Sequence, residues 1–431
     1  MLHLLDFFSL LTRLFLSTVN ADCTISINSL HEKSPLILQE SSGKEKFKFY
    51  VPNIKDKIAF SEDQLVTLAC PGNVIVIHEE VSKKELVRAA CKLGKFQVGR
   101  RKVHFEEIHC KTYPSNKARY TGECCLRKHR EIEVGFTINQ TFLKVIDICF
   151  NEKTQMTLYT LSTLEHTASL RTTYYKRVRW KQGVFYNLSG NKLNKLYHLK
   201  VQRDTVNSIL GLPLTSKKYI GMKKNCYLAR GHLAPKTDFL YASQHHATFY
   251  LVNAIPQWQP FNAGSWLRLE KSVRRYAYKL SKNFLIYTGT YGVTSLPSED
   301  RQRPIPLNLY VVNGTRLVPV PRLLWKVIYD PISKNGIACV GVNNVFILDK
   351  ERDIICDNIC NEYDWLEWCG KPIDVYSGYL YCCKVDEFRK VVTSFPEVLV
   401  TSAFRSGSSG TCSYTLCIVL IIGYALLDSI E

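Results

Sequence analysis

His232 closes the run Arg230-Gly231-His232, and Asn253, Asn262 and Glu270 follow it within forty residues. Imidazole titrates closest to neutrality, so it is suited to take a proton from water. An asparagine carbonyl is a hard oxygen donor of the kind Mg²⁺ accepts. A neighbouring carboxylate can orient water on such an ion, and an arginine can offset charge on a phosphate. Together these side chains are a minimal kit for metal-assisted cleavage of a phosphodiester. Each has a plainer reading taken alone. A histidine beside a glycine turn is commonly structural, and an asparagine before a helix is commonly its cap.

The elements that would position these groups are legible from periodicity. After Asn262, residues Trp266, Leu269, Val273, Ala277 and Leu280 fall on one stripe of a helix, with Arg268, Lys271, Arg274 and Arg275 outside it. Within the run 228–235, His232 follows Arg230 and Gly231 in what reads as the end of an extended segment. Upstream, residues 143–150 and 156–161 read as a hairpin around Asn151-Glu152-Lys153-Thr154, and residues 205–210 as a short helix stopped by Gly211. Downstream, residues 284–292, 309–312 and 324–329 read as strands continuing one sheet, and residues 338–348 as a further apolar strand.

In this order the fragments resemble the DNA/RNA non-specific endonucleases, the ββα-metal nucleases that include the secreted nuclease of Serratia and endonuclease G. The matching residues are Arg230-Gly231-His232, then Asn253 with Pro256-Gln257, then Asn262, Gly264, Trp266, Leu269 and Glu270. The Thr-Gly-x-x-Gly run 288–292 and the Pro-x-x-x-Trp-Lys-Val run 321–327 resemble the family as well. Each fragment is weak alone; the composite is specific. Ala229 stands where most members carry Asp, an alanine shared by the secreted double-stranded ribonucleases of insects, which this chain resembles most. The resemblance implies an α+β fold with a ββα-metal core, a mixed sheet and flanking helices. It implies that His232 is the general base, Asn262 the direct ligand of Mg²⁺ (or Mn²⁺), and Glu270 the group that orients metal-bound water. Arg230 would neutralise phosphate charge and Asn253 would hold the site in shape. A further upstream arginine is expected near the phosphate, with Arg203 the first candidate and Arg179 the second.

Charge agrees with a polyanionic partner: 57 Lys and Arg against 38 Asp and Glu leave +19. In residues 174–181 cations alternate with aromatics, which makes Arg177, Arg179 and Lys181 candidates for nucleic acid, together with Arg268 on the helix. A cationic exposed strand is an equally good reading of that segment. Residues 1–21 read as a signal peptide interrupted by Asp6 and Arg13. Sixteen cysteines and sequons at Asn139, Asn187 and Asn313 suit a secreted chain. The group Cys356, Cys360, Cys369, Cys382 and Cys383 lacks a paired zinc knuckle and is expected to form disulfides.

The expected organisation is a signal peptide over 1–21, a cysteine-containing β-rich accessory domain over 22–138, the endonuclease domain over 139–402, and a small-residue linker with an apolar tail over 403–431. The tail is short for a membrane span: membrane association would require that it be retained, and the small residues before it also allow a GPI signal, although the polar spacer is missing. No protein partner is implied. The leading functional reading is a secreted, metal-dependent endonuclease acting on RNA, including duplex RNA, and DNA. The alternatives are a nucleic-acid-binding protein of the same scaffold with little turnover, and a disulfide-rich interaction protein with an accidental motif.

Overall fold

The computed structural model describes residues 23–43, 45–170, 177–300, 303–346, 349–370 and 375–404. The expected signal peptide, the apolar tail and the Tyr174-Tyr175-Lys176 part of the cation-aromatic run lie outside the described residues.

The chain first builds a β-rich region. Six short antiparallel strands between Leu36 and Val103 form one sheet, tied by disulfides Cys23–Cys91 and Cys70–Cys110. Its apolar core extends to Leu240 and Tyr241 of the later chain, and the Tyr241 hydroxyl donates to the Tyr50 carbonyl at 2.6 Å.

The elements of the larger unit follow in chain order. Strands β1 (Lys117–Cys125), β2 (His129–Ile138), β3 (Thr141–Asn151) and β4 (Met156–Leu164) run back and forth through tight turns. Helices α1 (Leu193–Leu196) and α2 (Leu199–Leu210) come next, then strands β5 (Leu228–His232) and β6 (Ala254–Trp258) and helix α3 (Leu267–Leu280). Strands β7 (Phe284–Val293), β8 (Pro321–Asp330), β9 (Asn335–Val342) and β10 (Leu380–Cys383) complete it. Eight strands make one sheet in the order β1-β2-β3-β4-β7-β8-β9-β10. The fold is α+β as expected, but the sheet is antiparallel at every pairing and not mixed, because its neighbours are joined by short turns or by excursions that return on the same edge.

Two of the motif runs meet in the sheet centre. Gly289 of β7 sits opposite Trp325 of β8, and a Cβ on Gly289 would lie 2.2 Å from the indole, so the glycine lets Trp325 lie flat across its neighbour. Other details depart from the sequence reading. The sheet begins at Lys117, inside the stretch assigned to the accessory region. Strand Asn308–Val312 does not continue the sheet; it pairs with Thr315–Pro319 in a separate ribbon. The apolar strand after Ala338 stops at Val342 because Asn343 turns to bridging: its Oδ1 accepts from the Trp258 amide, and its Nδ2 donates to the Pro256 and Pro321 carbonyls. Helix α2 starts at Leu199, well before residue 205, and ends as expected at Gly211, whose φ of 73° suits glycine.

The late cysteines form the disulfides Cys356–Cys383 and Cys360–Cys382, with Cys339 and Cys369 as buried thiols beside them. This stapled segment braces α3: the Trp365 ring stacks on Tyr276 at 4.4 Å, and Trp368 Nε1 donates to Ser272 Oγ. Among the described residues no helix is long and apolar enough to cross a membrane.

Candidate active site

Strands β5 and β6 form an antiparallel pair that places His232 opposite Ala254 and Gly231 opposite Ile255. A Cβ on Gly231 would stand 2.1 Å from Gln257 Oε1 and 2.7 Å from its Cβ, so the Arg-Gly-His and Pro-Gln fragments are two sides of one contact. Gly231→Ala should therefore destabilise the fold by about 1–3 kcal/mol through overpacking. A melting temperature equal to the parent's would refute that account.

Asn253 is fully buried and spends its amide on the loop beyond His232. Its Oδ1 accepts from the Ala234 amide, and its Nδ2 donates to the Ala234 and Thr248 carbonyls, all at 2.9 Å. Both ends of the loop that follows the histidine are thus fixed by one side chain.

The rings of His232, Trp180 and Phe249 pack as a triangle, with centroids 4.6 Å apart for His232 and Trp180 and 5.0 Å for each of the other two pairs. The Thr248 hydroxyl donates to the His245 carbonyl at 2.7 Å, so it faces His232 Nε2, 3.4 Å away, as an acceptor. That selects the tautomer with its proton on Nε2 and leaves Nδ1 with the lone pair. Burial, then the charges of Arg177 and Lys236, pull the imidazole down to about 3, so the free ring is neutral at physiological pH.

Arg230 donates to the Asn194 carbonyl on α1 at 2.8 Å, with its guanidinium 4.7 Å from the Tyr197 ring centre. Neither contact carries an opposing carboxylate, which leaves its charge available to an anion.

Asn262 opens a kinked entry to α3. The backbone leaves helical geometry at Gly264 (φ −95°, ψ −115°), and a Cβ there would meet the Ser377 carbonyl at 2.6 Å, while Ser265 Oγ donates to the same oxygen. The glycine, the serine and buried Trp266 seat this turn against the stapled segment. Asn262 Nδ2 donates to Gln259 Oε1 at 3.1 Å, so Oδ1 is the atom left for a cation. Glu270 lies two turns on, 8% exposed. Burial pushes its carboxyl up to about 7, against the charges of Lys326 and Arg274, with Asp238 adding to the rise.

One cleft of about 480 Å³ gathers Arg177, Arg230, His232, Asn262 and Glu270, with Tyr197 and Lys236 at its walls. A hard-oxygen donor and a carboxylate at one opening fit a divalent cation that keeps most of its water. Other sequence candidates are not brought there. Arg203 lies along Gly221, 3.5 Å from that residue's Cβ position; Lys181 bonds Asn116 Oδ1 at 2.8 Å; Arg268 stacks on Trp368 at 4.5 Å; exposed Arg179 is outside the lining. The upstream arginine that the cleft does contain is Arg177.

Sequence reasoning passed over a buried charge group behind Glu270. Arg274 pairs with Asp238 at 2.8 Å, and Lys326, 1% exposed, donates to Thr288 Oγ1 at 2.7 Å and lies 5.7 Å from the Trp266 ring centre. A lysine inside the apolar run Leu323-Leu324-Trp325-Lys326-Val327 was the available signal, since a buried cation needs partners.

The family model for DNA/RNA non-specific endonucleases matches residues 129–388. The chain is 30% identical over 302 residues to a salivary endonuclease of Lutzomyia longipalpis, covering 66% of this chain and 69% of that protein. It is 24% identical to salivary protein Tsal2A of Glossina morsitans morsitans, over 88% of this chain and 93% of that one. The mitochondrial nuclease EXOG of Xenopus laevis is 36% identical over 117 residues, 26% of this chain and 30% of that protein.

Proposed function

Because the chain belongs to the DNA/RNA non-specific endonuclease family, we propose that it is a secreted, Mg²⁺-dependent endonuclease that hydrolyses phosphodiester bonds of RNA, including duplex RNA, and of DNA. The observation that carries this reading is the convergence of a neutral histidine, an asparagine with a free carbonyl oxygen and a buried glutamate in one cationic cleft.

On this reading the substrate phosphate sits against Arg230 and Arg177, whose charges offset its own and the charge that builds during attack. His232 Nδ1 accepts a proton from the attacking water, and Thr248 holds the ring in the tautomer this requires. The phosphate's negative charge opposes Arg177 and Lys236, the two cations that depress the imidazole, and so strengthens the base when substrate is bound. Asn262 Oδ1 would hold the divalent ion, which supplies Lewis-acid stabilisation of charge on the phosphate oxygens. Glu270 orients water at that position, and Asn253 positions the loop that carries the base. The salivary relatives and the exposed sequon residues Asn139, Asn187 and Asn313 support secretion as a glycoprotein.

Glu270 serves this role as a carboxylate, so cleavage should rise with pH as its proton leaves, through a midpoint near 7 in the free protein. The residual cleavage by Glu270→Gln should be flat from pH 5 to 8. A Gln variant that keeps the parent's acid limb would assign that limb to another group.

Incubating the purified protein with duplex RNA, duplex DNA and single strands, each with Mg²⁺ or EDTA, tests the proposal. Metal-dependent cleavage is expected on all of them. Tight, salt-sensitive binding with no cleavage would overturn it in favour of a scaffold that only captures nucleic acid.

A further inference from the structure

Charge is distributed unevenly along this chain. Between Lys192 and Lys236 there are ten Lys and Arg and a single acid, Asp204, so 45 residues hold nine of the nineteen net charges. Asp204 is already paired with Lys200, at 2.8 Å. Lys192, Lys195, Lys217, Lys218, Lys223 and Lys224 are exposed, and among the described residues none pairs with a carboxylate. A solvated face ordinarily mixes both signs, whereas a field of one sign attracts a polyanion.

The fold sets these lysines beside the cleft. Lys192 and Lys195 flank Asn194, whose carbonyl fixes Arg230. The other four lie on the loop that leads into β5, and Tyr227, three residues after Lys224, lines the cleft itself. The end of that loop is pinned in place: the Tyr376 hydroxyl donates to Asn225 Oδ1 at 2.7 Å, and Lys223 Nζ lies 4.4 Å from the Tyr376 ring centre. Tyr376 adjoins Ser377, which packs on the kink carrying Asn262. The basic loop is therefore held against the same support as the candidate metal ligand.

We infer that Lys217, Lys218, Lys223 and Lys224, with Lys192 and Lys195 on either side of the Asn194 that holds Arg230, form a phosphate-binding track that grips a nucleic-acid duplex beyond the bond being cut. Three residues of chain reach about 10 Å, a length of duplex axis that carries about six phosphates. The loop thus meets phosphates about two to three base pairs from the scissile one. Contacts to non-reacting phosphates lower KM for long substrates and leave kcat alone. The track makes the enzyme discriminate by length and strand number where sequence is ignored.

This inference rests on the nuclease reading above, and its test separates the two. The variant carries Lys217→Gln, Lys218→Gln, Lys223→Gln and Lys224→Gln, and binding to an uncut 30-base-pair duplex is measured in EDTA across a salt series. The slope of log K against log salt should shrink by about 3 to 4, since each phosphate contact contributes about 0.9. With Mg²⁺, KM for the long duplex should rise at least about tenfold at unchanged kcat, while turnover of a mononucleotide nitrophenyl ester stays at the parent's level. Two double variants, at 217/218 and at 223/224, should each lose about half of the slope, and they cover the case in which four substitutions impair folding. An unchanged slope in a variant that melts like a parent able to cleave would sink the track alone. A parent that binds steeply but cleaves nothing would sink the nuclease reading and leave the track standing.

Discussion

His232→Ala should lower kcat by roughly 10²–10⁴-fold while leaving duplex affinity in EDTA within about twofold of the parent's. The expected split follows from where the ring sits. Its Nε2 is committed to Thr248, its ring packs against Trp180 and, edge-to-face, Phe249, and its remaining nitrogen is the proton acceptor; none of these is a phosphate contact. Affinity comes from cations, and the alanine variant keeps all of them. The variant also reports on stability. The half-buried ring stays neutral down to about pH 3, whereas in the unfolded chain it gains a proton near its ordinary value. Between those values the unfolded state holds more protons, so His232 makes the fold less stable as pH falls from about 6.5 towards 3. His232→Ala removes that contribution, and its melting temperature should drop less than the parent's across the same acid range. A variant with parental turnover, measured on duplex RNA with Mg²⁺, would refute the assignment.

Much of this architecture was legible because several residues answer to one local requirement. The apolar stripe after Asn262 marks a helix, and the helix is there, with Leu269, Val273 and Ala277 buried. Gly231 and Gln257, or Gly289 and Trp325, appear as separate motif fragments in sequence, yet each pair is one steric contact across two strands. What stayed hidden depends on distant partners. Nothing local to Arg203 on helix α2 reveals that it lies along Gly221, and nothing local to Arg177 places it at the cleft, because Gly221 and Arg177 lie on loops whose course periodicity does not encode. The strand at Asn308–Val312 has good β character but takes its partner from the next hairpin, a choice that propensity does not make. Asn343 ends a strand that hydropathy would continue, because its side chain serves three backbone groups on two neighbours.

Asn262→Ala should abolish the stimulation of cleavage by Mg²⁺ and weaken binding of the ion at least about tenfold. The site offers a divalent cation few protein atoms, so removing one costs a large share of the attachment; Mg²⁺ ordinarily keeps water in the remaining positions. Two readouts separate loss of the ligand from loss of the fold. The first is the shift in melting temperature that Mg²⁺ produces in the parent, which should vanish in the variant because a ligand stabilises only the state it binds. The second is Asn262→Asp, which keeps an oxygen at the same place and adds charge. It should restore Mg²⁺ binding, whereas Ala does not. Asn262 also donates to Gln259 at the entrance of the kinked turn, so the alanine could loosen that turn by about 1 kcal/mol. The fold is braced there by Gly264 and Ser265 against Ser377 and by stacking of Tyr276 on Trp365, contacts that the substitution leaves in place. Alanine protein that cleaves as fast in EDTA as the parent does in Mg²⁺ would remove Asn262 from the metal site. Retained Mg²⁺ binding with turnover lost would instead move the ligand to Glu270, the carboxylate at the same opening.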